Sequence, residues 1–78
     1  MREFEIRIRS VQDVQFFVDL ATSRPFPVLV GNGSHQVNGK SFMEMFCLNF
    51  SRPLKAIMKC SEEEYEQFLR DVDRLLAK

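Results

Sequence analysis

A chain of 78 residues, 45% of them hydrophobic and 28% charged, is expected to form one domain, 1–78, around a single modest core; it is too apolar to stay disordered. Eleven Lys and Arg balance eleven Asp and Glu, which argues against a nucleic-acid partner, and no basic cluster breaks the balance along the sequence. No apolar run approaches membrane-spanning length and the charged start is no signal peptide, so no membrane partner and a cytoplasmic location are expected.

Residues 3–9, "EFEIRIR", alternate strictly. Phe4, Ile6 and Ile8 face one way and Glu3, Glu5, Arg7 and Arg9 the other, the pattern of a strand with one wet face. Ser10-x-x-Asp13 resembles a weak capping box, followed at helical spacing by Val11, Val14, Phe17, Val18 and Ala21. The prolines of "SRPFP" end that helix. A buried strand is expected over 27–30, a turn over 31–33, and a short returning strand over 34–38.

Ser41-x-x-Glu44 is a better capping box and predicts a helix over 41–49, with Asn49 as its stop. A strand over 53–60 follows. Ser61-x-x-Glu64 is the strongest cap in the chain, and three successive glutamates suit the positive end of a helix dipole. Tyr65, Phe68, Leu69, Val72, Leu75 and Leu76 extend this amphipathic helix to the C-terminus. The order is strand, helix, strand, strand, helix, strand, helix. Because the first strand keeps a polar face, all three helices should cover the other face of a four-stranded, mainly antiparallel sheet. The fold class is α+β, an open-faced sandwich.

Chemistry is sparse. "GKS" (39–41) lacks the earlier glycine of a phosphate-binding loop, because Gly33 stands one place too far back. His35, the single histidine, falls in a hairpin remote from the first helix, without the orienting group a catalytic imidazole needs. Cys47 and Cys60 are expected as free thiols, and with one histidine they cannot complete a zinc site. Glu62, Glu63 and Glu64 are explained by the dipole and cap. No enzyme activity, metal or cofactor is expected.

The helix 41–49 carries Phe42, Met43, Met45, Phe46, Cys47 and Leu48 with Glu44 almost its only polar residue. A short helix on a sheet buries about half its circumference. The excess is either a crowded core or a docking surface for a protein partner, a role that Met and Phe suit.

Element order and "GKSFMEMFCL" together resemble HPr, the histidine-containing phosphocarrier of the bacterial sugar phosphotransferase system, over nearly the whole chain. "FFVDLA", "PVLVGNG" and the last helix also resemble HPr segments. The resemblance implies the HPr-like open-faced β-sandwich. It places Ser41 on the serine phosphorylated by a kinase in many members, and Phe42, Met43 and Phe46 on residues presented to partners. It departs at the H-x-R-P-A motif. The phospho-accepting histidine position holds Ser10, the arginine position Gln12 and the proline position Asp13. A serine hydroxyl forms a stable ester rather than a reversible phosphoimidazole, and Gln12 lacks a guanidinium's charged fork. The expectation is an HPr-like protein without histidyl transfer, acting as a regulatory or interaction module. The alternative is a small structural or dimerising subunit whose helix 41–49 is the interface.

Overall fold

The computed structural model describes residues 1–32 and 34–76. Four strands, β1 (Arg2–Ile6), β2 (Val28–Gly31), β3 (Gln36–Asn38) and β4 (Leu54–Met58), form one sheet in the order β1-β4-β2-β3, with every neighbouring pair antiparallel. Three helices, α1 (Val11–Thr22), α2 (Phe42–Met45) and α3 (Glu62–Asp71), complete the α+β open-faced sandwich.

The alternation of the first strand survives as burial. Phe4, Ile6 and Ile8 lie in the core, while Glu3, Glu5 and Arg9 are exposed. On the wet face Lys55 pairs diagonally with Glu3, 3.4 Å away. The helix side centres on Phe68, whose ring meets Phe4, Phe17 and Phe26 at centroid separations of 5.5, 5.9 and 6.2 Å. At Gly31, a Cβ would overlap the His35 carbonyl across the hairpin, so glycine is required there.

Several boundaries differ from the sequence expectation. The first strand ends its pairing with β4 at Ile6, not Arg9. Beyond it, the Arg7 N–H donates to the Leu75 carbonyl at 2.7 Å, and Leu76 bridges Ile6. The last helix therefore does not run on to the C-terminus. It stops at Asp71, gives way to a 3₁₀ turn at Asp73–Leu75, and lays the chain along the outer edge of β1. Backbone groups of an edge strand need partners, and here the tail supplies them. The expected turn residue Gly33, and Ala77 and Lys78 of the expected last helix, lie outside the described residues.

The helix expected over 41–49 is only four residues long. After Met45 the bonds tighten: Cys47 N–H reaches Glu44 O and Leu48 N–H reaches Met45 O, each three residues back. A helix apolar on nearly every side must turn off once its core-facing residues, Met45 and Leu48, are buried.

Candidate functional site

Ser10 is the N-cap of α1. Its extended backbone (φ −156°, ψ 169°) places Oγ to accept from the Asp13 N–H at 3.3 Å. Asp13 does not close the box on Ser10; its Oδ2 instead accepts from the Arg9 N–H at 2.9 Å. Ser10 remains exposed and lines a depression of about 520 Å³ with Arg7, Ile8, Arg9, Val11, Phe50 and Ser51. Arg52 lines a second depression with Glu5, Gly31, Asn32, Pro53 and Lys55. Basic residues dispersed in sequence thus gather at the end of the sheet where β1 exits.

Ser41 caps α2, accepting from the Glu44 N–H at 3.3 Å. The expected capping box is half formed. Ser41 N–H donates to the Asn38 carbonyl, and Glu44 Oε1 accepts from the Asn38 N–H at 3.3 Å. Lys40 Nζ donates to the Arg24 carbonyl at 2.8 Å, which fixes Ser41 near the C-terminal end of α1. Ser10 stands at the other end. A helix of twelve residues spans roughly 18 Å at 1.5 Å per residue, so the two serines are not brought together.

The apolar excess of 41–49 divides. Met45 and Leu48 are buried and Phe42 is half-buried, whereas Met43 is 83% and Phe46 43% exposed. Phe46 stands edge-on to Phe42 at 4.7 Å and leads to Phe50 at 6.4 Å. The aromatic row therefore runs from Ser41 toward the Ser10 depression, where Val11 is also exposed. Phe50 belongs to this surface but escapes sequence reasoning, because it follows the expected helix stop.

His35 is exposed in the β2–β3 hairpin. The register, Gly31 opposite Lys55 and Lys55 opposite Glu5, sets that hairpin at the same end of the sheet as the exit toward α1. That brings His35 to the level of the start of α1 along the strand direction only. Across the sheet, β4 and β2 separate β3 from β1. Cys47 and Cys60 are free thiols. Burial raises the Cys60 pKa above its usual value and nearby Glu64 adds to the rise, partly offset by Arg2. Among the described residues no group of His, Cys, Asp or Glu converges as a metal site would require, and no helix is long and apolar enough to cross a membrane.

No protein-family model matches the chain, and no curated protein matches it in sequence. Among solved structures, it is similar to HPr-C-His from Thermoanaerobacter tengcongensis, with a TM-score of 0.75 and 23% identity. The match covers 97% of this chain and 91% of that one. At that identity the likeness is one of fold: this chain has the fold of an HPr protein.

Proposed function

We propose that this is an HPr-like protein of the sugar phosphotransferase system family that does not carry phosphate on histidine and works as a regulatory or protein-interaction module. The observation that carries this reading is the pair Met43 and Phe46, large apolar side chains left in solvent on the four-residue helix capped by Ser41 and at its C-cap. With the half-buried Phe42 they form a docking surface for a protein partner. The family resemblance sets Ser10 at the histidine position, and the Ser10 hydroxyl serves as a helix cap. Phosphorylation of Ser41 would set a dianion beside Phe42, Met43 and Phe46 and weaken a partner that docks on a dry surface.

A pull-down with wild type, Ser41→Asp and Phe46→Ala tests this. Partner capture by the wild type and its loss in both variants is expected; equal recovery by all three removes the docking reading. In parallel, incubation with phosphoenolpyruvate and Enzyme I should leave no acid-labile phosphate. Such phosphate on His35 would overturn the non-carrier reading. Light scattering separates the alternative, since a dimer sealed through Phe46 would fall to monomer in Phe46→Ala.

A further inference from the structure

We infer that the outer edge of β1 recognises a second copy of this chain: when the tail lifts from that edge, residues 3–9 of two copies pair antiparallel about a two-fold axis at Ile6. The segment "EFEIRIR" is complementary to itself in this register. On the wet face Glu5 meets the second copy's Arg7 and Glu3 meets its Arg9, each pair occurring twice by symmetry. On the core face Phe4 meets Ile8 and Ile6 meets Ile6. Sliding the strands by two places sets Glu5 on Glu5 or Arg7 on Arg7, so like charges exclude the neighbouring registers.

The backbone has the matching parity. β1 is an edge strand. The Arg7 N–H reaches Leu75 O and the Glu3 carbonyl accepts from the Tyr65 hydroxyl at 2.8 Å, so both point away from β4. By the alternation of a strand, the N–H and C=O of Glu5 point outward as well. Glu5 and Arg7 are therefore the residues that exchange backbone bonds in the register that pairs their charges. Arg9 N–H is held by Asp13 Oδ2, so the outer Glu3–Arg9 pairs contribute through side chains alone. Glu3 also has Lys55 on its inner side, whereas Glu5, Arg7 and Arg9 have no ion pair among the described residues. The pairing joins two four-stranded sheets into one.

In the single chain the tail occupies this edge through the bond from Arg7 N–H to Leu75 O and the bridge of Leu76 to Ile6. It has another place to go. Leu75 and Leu76 continue the apolar spacing of Phe68, Leu69 and Val72, so extending α3 keeps Leu75 on the apolar stripe while taking its carbonyl off β1. The tail is thus an internal competitor of the second copy. The pairing uses neither Ser41 nor the aromatic row of α2, so it stands independently of the docking surface proposed there.

Sedimentation equilibrium of the full chain over a concentration series tests this, with circular dichroism as the check on folding. Leu76→Asp places a charge at the half-buried bridge residue and should self-associate about tenfold more tightly than the wild type, as a dimer. In that background Glu5→Arg sets arginine against the second copy's Arg7 twice over and should weaken the dimer about tenfold, and Arg7→Glu should do the same. The two single variants mixed should associate with each other as tightly as the parent does, because opposite charges then face across both pairs. If Leu76→Asp does not fold, Leu76→Ala carries the same series. Phe46→Ala should leave the dimer intact, which separates this edge from an interface through α2. Wild-type-like association in both Leu76 variants, charge variants that dimerise like their parent, no rescue on mixing, or a dimer lost in Phe46→Ala would overturn the inference.

Discussion

Ser61 and Ser41 are both N-caps, yet they do different amounts of structural work. Ser61 Oγ accepts from Glu64 N–H at 3.1 Å while Glu64 Oε1 accepts from Ser61 N–H at 3.0 Å, a closed box at the head of a ten-residue helix. Ser41 has only the first of these bonds, at 3.3 Å, and heads four residues. Ser61→Ala should therefore cost about 1 kcal/mol, and Ser41→Ala about 0.5, at the low end of the range for caps. Urea denaturation of the two variants measures both; a larger loss at Ser41 would contradict the ranking. The thiols separate by the same local logic. Cys47 is exposed, whereas burial and Glu64 hold the Cys60 thiol protonated above its usual range. Since the thiolate is the nucleophile, iodoacetamide at pH 8 should modify Cys47 well before Cys60, as read by peptide mass spectrometry. The unfolded chain releases the Cys60 proton at lower pH than the folded one. That residue therefore subtracts stability as pH rises through the ordinary thiol range, about 8.5.

The edges of the sheet show what an element requires beyond its own sequence. Along β1 the Arg7 N–H is taken by Leu75 O, and at β3 the Asn38 N–H is taken by the Glu44 carboxylate, so both edges are blunted against strand addition. Glu44→Ala should free the Asn38 amide. Hydrogen exchange at Asn38 should accelerate about tenfold for a bond worth 1.4 kcal/mol, while Val37 changes little. The three caps and the alternation of 3–9 are readable from the chain because each depends on neighbours within four positions. The length of α2 is not, because it is set by where Met45 and Leu48 meet the core. Nor is the stop of α3 at Asp71, because the partner that draws the tail away is a strand edge nearly seventy positions earlier. The site divides the same way. Phe42, Met43 and Phe46 stand out by composition, but Phe50 and the gathering of Arg7 and Arg9 beside Ser51 appear only once β1 and the loop after α2 are neighbours.

For the molecule as a whole, the decisive joints are those that hold α3 and the tail to the rest. Arg24, just after α1, pairs with Asp71 at the end of α3 and lays its guanidinium over the Phe68 ring, 5.0 Å from the centroid. Its side chain is 15% and that of Asp71 32% exposed, and Arg24 Nε has no partner among the described residues. Partial exposure screens this pair, so Asp71→Asn should cost about 1–2 kcal/mol, less than a fully buried pair would. Leu75 is the larger joint. It is 1% exposed and lies in the 3₁₀ turn whose carbonyl holds the Arg7 N–H against the edge of β1. Leu75→Ala leaves a cavity in the core while also loosening the turn that closes the strand edge, and should cost about 2–5 kcal/mol. A domain of 78 residues commands only about 4–12 kcal/mol in total. The single substitution should consequently lower the thermal midpoint far more than Asp71→Asn does, and leave a measurable unfolded fraction if the cost reaches its upper end. Thermal denaturation followed by circular dichroism, with Asp71→Asn as the comparison, tests the ranking. Equal midpoints in the two variants would mean that the tail is peripheral to the fold and that β1 keeps its edge without it.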